Sequence, residues 1–168
     1  ILVDDLMDFN VLETYINGHL VAIDGQTRIE SVEESQPNVF NARKISEEDI
    51  RIPADGDTIS AFKAKDGQLI TEAFETKAPV EKGYLVSDTE RDLLKIVVMN
   101  RYKPSKPAVA FVSNFGFMKG AIASSVAHDS HNIIAVGTDD KAIVEAVNVI
   151  VDYKGGISFF DGEKAEGL

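Results

Sequence analysis

The sequence predicts an α+β fold: a mostly antiparallel β-sheet with one long helix (139–153) packed on a face, preceded by a β-hairpin segment. Three observations support this prediction. Turn-forming pairs such as Asn17-Gly18 separate short apolar runs, as in hairpins. Continuous apolar runs such as LLKIVVMN (93–100) are typical of buried strands. Only residues 139–153 repeat apolar side chains at the three-and-four spacing of a long helix.

The N-terminal elements follow from turn chemistry. Short strands are expected at 1–3 and 11–16, and Asn17-Gly18 tolerates the positive φ angles of a type I′ turn before a return strand at 19–23. Residues 26–50 are polar and weakly periodic, so we expect a loop there. This loop is expected to contain one helical turn, capped by Ser46 together with Asp49 three residues later.

The remaining strands are separated by loops and one helix. Alternating runs at 58–64 and 68–75 are joined by Lys65-Asp66-Gly67, a second hairpin signal. Further strands are predicted at 93–100, 108–114, 121–127, 132–137 and 157–160. Thr138 is expected to cap the helix, and Gly155-Gly156 to end it. Its apolar stripe comprises Ile143, Val144, Val147, Ile150 and Val151.

Composition excludes several functional classes. The 168 residues carry 17 basic and 28 acidic side chains, a net charge of −11, which disfavours nucleic acid and anionic membranes as partners. There is no cysteine, so disulfides, thiolate–metal sites and cysteine nucleophiles are excluded. No segment has the roughly 20 apolar residues of a membrane span, and the acidic N-terminus does not resemble a signal peptide. We therefore expect a cytoplasmic protein.

The segment SSVAHDSHNIIAVG (124–137) holds the candidate functional residues His128, Asp129, Ser130 and His131. A metal site needs three or four ligands, and two histidines three residues apart in a strand would point to opposite faces. They converge only if 128–131 form a turn. No G-x-S-x-G elbow accompanies the nearby serines, so a nucleophilic triad is disfavoured. Two readings stay open: a polar strand connection, or a loop completed by another domain.

The segment GFMKGAIASSVAHDSHNIIAVGTDD, followed by EAVN and GG, resembles the C-terminal region of bacterial adenine deaminases of the amidohydrolase superfamily. DIRIPADGD and DLLKIVVMNRY look like earlier segments of the same family. The first residues, ILVDDLMDFNVLETYINGHLVA, resemble the strand–hairpin segment that follows the barrel in amidohydrolases. The resemblance implies two regions. Residues 1–27 would belong to the amidohydrolase β-sandwich, and residues 28–168 would form a C-terminal accessory domain that is truncated at its C-terminal end.

The resemblance also implies a parent hydrolase of purine salvage that converts adenine and water to hypoxanthine and ammonia. A metal-bound hydroxide, with binuclear manganese or iron, would attack C6 on a (β/α)8 barrel. This chain has three histidines and no H-x-H pair, so we expect it to hold no cofactor or complete catalytic site and to be inactive alone. Its partners would be the catalytic barrel of the parent and, through the parent, adenine; a homo-oligomer stays open.

Two hypotheses concern the role of the chain and of its loop. As an accessory domain, the chain supports or caps the barrel, with His128, Asp129, Ser130 and His131 in an active-site-capping loop or merely stabilising the sheet. The alternative is a stand-alone α+β module that binds a small molecule or a protein without catalysis.

Overall fold

The computed structural model describes residues 1–33, 38–128 and 130–168. The chain divides into two compact units, Ile1–Asn38 and Val39–Leu168. The first unit is a four-stranded antiparallel sheet in sequential order. Its strands are β1 (Leu2–Val3), β2 (Val11–Ile16), β3 (His19–Ile23) and β4 (Gln26–Thr27). Asn17 and Gly18 have φ angles of 49° and 79°, which confirms the predicted hairpin turn between β2 and β3.

The described residues of the second unit form two helices and eleven strands. The helices are α1 (Glu47–Ile50) and α2 (Asp140–Tyr153). The first strands are β5 (Ile52–Pro53), β6 (Thr58–Lys63), β7 (Glu72–Lys77), β8 (Val80–Glu81), β9 (Tyr84–Leu85) and β10 (Leu93–Met99). The others are β11 (Ala108–Ser113), β12 (Ala121–Ser124), β13 (Ile133–Gly137), β14 (Ile157–Phe160) and β15 (Ala165–Gly167).

Eight of these strands form one sheet in the order β15-β14-β12-β13-β10-β11-β6-β7. Neighbouring strands run antiparallel except β6 and β11, which are parallel. A separate three-stranded sheet has the order β5-β9-β8. The predicted α+β class, mostly antiparallel with one long helix, is confirmed. Among the described helices, neither has the length and apolar character that a bilayer crossing requires.

Helix α2 covers one face of the large sheet through its predicted stripe. Ile143, Val147 and Ile150 are buried against sheet residues that include Ile133 and Ala135, while Val144 and Val151 pack at the edge of the same core. Burying each large side chain contributes roughly 1.5–3 kcal/mol. The stripe therefore fixes which face of the sheet is core.

The predicted cap of α2 is wrong by one residue. Asp139, with an extended backbone at φ −159°, is the N-cap, and its Oδ1 accepts a hydrogen bond from the Ala142 N–H at 2.8 Å. The Thr138 hydroxyl instead donates to the Gly120 carbonyl at 3.2 Å. The helix consequently runs from Asp140 to Tyr153 and ends before Lys154, which adopts φ 56°.

Two predicted strand boundaries also need correction. The strand expected at 121–127 ends at Ser124, because the Ser125 N–H bonds to the Gly156 carbonyl and the chain then leaves the ladder. The strand expected at 68–75 begins at Glu72, whose partner Lys63 is the last residue of β6. Residues 64–71 are therefore a longer loop than the hairpin pattern predicted.

The single turn predicted at Ser46 is confirmed. Asp49 accepts a hydrogen bond from the Ser46 N–H at 2.8 Å and forms an ion pair with the Arg43 guanidinium at 2.5 Å. These donors, the Arg43 guanidinium first, hold the pKa of Asp49 well below its usual range. The side chain of Asn148 on α2 bonds the backbone of Ile45 in both directions, which ties this turn to the helix.

Candidate functional site

The predicted histidine loop connects β12 to β13. These strands are paired from Ala121 opposite Gly137 to Ser124 opposite Ile134, which is the end nearest the loop. Its described residues His128, Ser130 and His131 are all exposed at one end of the large sheet. Asp129, the fourth predicted residue, lies outside the described residues. The loop is thus positioned by two adjacent strands of the large sheet, with its polar side chains at the surface.

Two backbone hydrogen bonds close a turn between Ala127 and His131. The His131 N–H donates to the Ala127 carbonyl at 2.8 Å, and the Ser130 N–H donates to the His128 carbonyl at 2.9 Å. His131 has the left-handed φ of 50° that such a closure requires. An extended strand would have sent the two rings to opposite faces. The turn avoids that arrangement, and a site shared by the two imidazoles stays a prediction.

The turn is anchored by two residues that directly follow the predicted strand at 93–100. The Tyr102 hydroxyl donates to the Ser130 carbonyl at 3.2 Å, and the guanidinium of Arg101 stacks 5.1 Å from the Tyr102 ring centre. This proximity follows from strand register, since Met99 pairs with Ile133 and the chain beyond Met99 continues beside the turn. Only the β10–β13 pairing could have identified Tyr102, and no local signal predicts that pairing.

Two buried polar atoms flank the histidine turn. Within residues 1–33, 38–128 and 130–168, Nε of Arg101 and Oδ1 of Asn132 are the buried side-chain atoms without a hydrogen-bond partner. Buried polar groups in native proteins are nearly always paired, and an unpaired one costs about 1–3 kcal/mol. Arg101 directly precedes Tyr102 and Asn132 directly follows His131, so both atoms belong to residues adjacent to the turn in sequence.

The serines near the histidines have structural roles. Oγ of Ser125, which is buried, accepts a hydrogen bond from the Gly156 N–H at 2.9 Å. Oγ of Ser124 accepts from the Val126 N–H at 3.0 Å. Both hydroxyls shape the exit from β12, which agrees with the sequence-based argument against a nucleophilic triad.

Among the described residues, the side chains near the turn do not make up a metal site. In the part of the chain that the structure describes, no group of three or more histidine, aspartate or glutamate side chains could hold one. His128 and His131 alone supply fewer than the three or four ligands of a zinc or iron site. What the turn can do chemically is donate and accept hydrogen bonds through its imidazoles, which carry both functions.

The base of the turn borders an apolar groove of about 350 Å³ on the face of the sheet opposite α2. Val126 and Ala127, directly before His128, line one end of the groove, and Ile122, Ile134 and Ile157 line its floor. The polar turn and the apolar groove are therefore one continuous surface.

Comparisons with known proteins agree with the resemblance seen in the sequence. The family model for the adenine deaminase C-terminal domain matches residues 68–168. Among curated proteins, an adenine deaminase from Salinibacter ruber (strain DSM 13855 / M31) is 50% identical over 159 residues, covering 94% of this chain and 29% of the relative. One from Methanosarcina barkeri (strain Fusaro / DSM 804) is 47% identical over 165 residues, covering 94% and 30%.

A third relative, the adenine deaminase from Sulfurovum sp. (strain NBC37-1), is 47% identical over 168 residues and matches the whole chain. The chain spans 30% of that relative's length. More than two thirds of each of these three relatives therefore lies outside the match. The chain belongs to the adenine deaminase C-terminal domain family.

Proposed function

We propose that this member of the adenine deaminase C-terminal domain family is the accessory part of an enzyme that hydrolyses adenine to hypoxanthine and ammonia. The observation that carries the proposal is the asymmetry of coverage. Adenine deaminases match 94% or more of this chain, whereas the chain accounts for 29–30% of each of them. A stand-alone binding module is not favoured, because these relatives are much longer proteins.

The catalytic groups belong to the rest of the parent. The described residues offer no metal-binding cluster, whereas the (β/α)8 barrel expected of an amidohydrolase needs roughly 250 residues of its own. That part would hold the binuclear manganese or iron centre that supplies the activated water. Residues 1–27 would belong to the β-sandwich beside it, and 28–168 to the accessory domain.

The histidine turn is proposed to cap the active site of the parent. His128, Ser130 and His131 are exposed on a turn that Tyr102, three residues beyond the end of β10, anchors through the Ser130 carbonyl, and Asp129 would belong to the same cap. The edges of adenine carry both donors and acceptors, which suits imidazole, hydroxyl and carboxylate groups as positioning contacts. The competing role is structural, in which the same residues merely close the β12–β13 connection.

Further properties of the parent are proposed on the same basis. An adenine deaminase would act in purine salvage, and we expect the parent to be cytoplasmic. The chain's partner would be the catalytic barrel, and adenine would be the parent's substrate. A homo-oligomeric parent is compatible with these features.

The assignment of the catalytic groups to the rest of the parent is tested by measuring ammonia release from adenine. The full-length parent and the purified chain Ile1–Leu168 are assayed side by side, each with manganese or iron supplied. We expect turnover by the parent and none by the chain alone. Ammonia release that scales with the concentration of the isolated chain would place catalytic groups inside it, and an inactive parent would refute the proposed activity.

A further inference from the structure

The face of the large sheet opposite α2 is apolar from strand to strand. One row across it contains Phe159, Ile122, Val136, Ile96 and Ala110, which are cross-strand partners. A second row contains Ile157, Ser124, Ile134, Val98 and Ala108. An antiparallel sheet that faces water on one side alternates apolar with polar residues. These rows hold one polar side chain in ten, so the sheet has a composition suited to burial on both faces.

Only part of this face is covered within the described residues. Phe115 and Phe117, from the loop after β11, pack edge to face with ring centres 5.8 Å apart over Leu94, Val112 and Val136. Beyond them, toward β14, the face is uncovered. Ile122, Ile157 and Phe159 are 42%, 53% and 46% exposed. We use the term open face for these three residues together with Ile134 and Val126.

The open face ends at the histidine turn. Val126, which is 64% exposed, and Ala127 line the groove on this face, and His128 follows them directly. A body seated on the open face would therefore have the turn at its margin. Contiguous exposed apolar surface of this kind marks an interaction site.

We propose that the open face is the surface on which the catalytic part of the parent chain docks. This inference rests on the proposed function, because the occupant is the more than two thirds of the relatives' length that lies outside the match. A second copy of this chain is the weaker occupant, since it would bring together two chains that each carry a net charge of −11 and repel one another. Docking of the catalytic part covers the apolar rows and sets His128 and His131 at its edge.

The experiment measures thiol accessibility in the full-length parent, with its own cysteines replaced. Ile122→Cys and Ile157→Cys report on the open face. Tyr153→Cys is the matched control, because Tyr153 is 63% exposed and lies on α2, on the other side of the sheet. Each variant reacts with a maleimide before and after unfolding in urea. Cysteine is small and apolar enough to be tolerated at all three positions.

We expect the thiols at 122 and 157 to react about tenfold or more slowly than the thiol at 153 in the native parent, and equally fast after unfolding. Equal native rates would show an open face in contact with water and overturn the proposal. Protection that disappears on dilution of the parent would identify a second copy as the occupant and also overturn it.

Failure of this inference is distinguishable from failure of the proposed function. Ammonia release from adenine by the same unlabelled variants reports the activity of the parent independently of labelling. An active parent with a freely reactive open face contradicts only the docking surface. A protected open face in a parent that does not deaminate adenine supports docking and contradicts the proposed activity.

Discussion

Nζ of Lys95 on β10 lies 2.6 Å from Oδ1 of Asp140, the first residue of α2. The Lys95 side chain is fully buried, whereas that of Asp140 is 19% exposed. The Lys95 N–H also donates to Oγ of Ser87, whose hydroxyl donates to the Gly137 carbonyl at the end of β13. The pair therefore joins the start of the helix to the centre of the sheet, where a carboxylate also complements the helix dipole.

Removing one member of this pair should be costly. Asp140→Asn leaves the Lys95 ammonium buried without its counter-charge, and we expect a loss of about 3–5 kcal/mol in the free energy of unfolding. The control is Asp152→Asn, which breaks the exposed Lys44–Asp152 pair on the same helix and should cost less than about 1 kcal/mol. Urea unfolding of the chain measures both.

A double variant separates the charge from the shape of this site. Lys95→Met with Asp140→Asn removes both charges, so it should be more stable than Asp140→Asn alone. A cost of Asp140→Asn no larger than that of Asp152→Asn would show that the ammonium is solvated after all.

The buried stripe of α2 gives a second prediction. Val147 has no exposed surface, so Val147→Asp places a carboxylate in the core and should unfold the chain or cost more than about 3 kcal/mol. Glu145→Ala, an exposed position on the same helix, should change stability by less than about 0.5 kcal/mol. Thermal melts compare the two, and an unchanged melting temperature for Val147→Asp would mean that this side of the helix faces water.

The hydrogen-bonded carboxyl of Asp49 predicts that the free energy of unfolding depends on pH. Folding lowers the pKa of this carboxyl through Arg43 and the Ser46 N–H, so the unfolded chain binds the proton more tightly. Its stabilising contribution is therefore complete above the unfolded pKa of about 3.9 and is lost as the pH falls toward the folded value. Asp49→Asn should cost about 1 kcal/mol at pH 7.

The cost of Asp49→Asn should shrink steadily below about pH 4, because the unfolded wild-type chain then gains the Asp49 proton while the folded chain does not. Urea midpoints of both proteins between pH 3 and pH 7 measure this difference. A difference that stays constant across the range would show that the Asp49 charge does not stabilise the fold.

Local signals predicted several elements correctly. Asn17-Gly18, the Ser46–Asp49 turn and the stripe of α2 depend on residues within one turn or one helix of each other, so the sequence carries them directly. The choice of Thr138 over Asp139 as the cap failed for a non-local reason. The Thr138 hydroxyl bonds to Gly120, eighteen residues earlier, and no local pattern indicates that partner.

The candidate site was predictable only in part. The sequence singled out His128, Asp129, Ser130 and His131 as candidates because polar residues interrupt two apolar runs, and their role stays a prediction. It missed Tyr102 and Arg101, which lie beside the turn because β10 pairs with β13. Strand order is set by the packing of the whole sheet, so these neighbours could not be read from residue spacing.

The proposed role of the histidine turn is to act on the reaction of the parent rather than on the stability of this domain. The direct measurement is turnover of adenine and melting temperature for His128→Ala and His131→Ala in the full-length parent. His19→Ala is the matched control, because His19 is also exposed but lies on β3 of the first unit. All three variants are compared with the unmodified parent under the same conditions.

Loss of a positioning contact of about 1–3 kcal/mol should lower the turnover of His128→Ala and His131→Ala by about 5–150-fold. Their melting temperatures should stay close to that of the parent, and His19→Ala should match the parent in both measurements. Unchanged turnover together with lowered melting temperatures for His128→Ala and His131→Ala would contradict the claim and leave the turn a structural connection between β12 and β13.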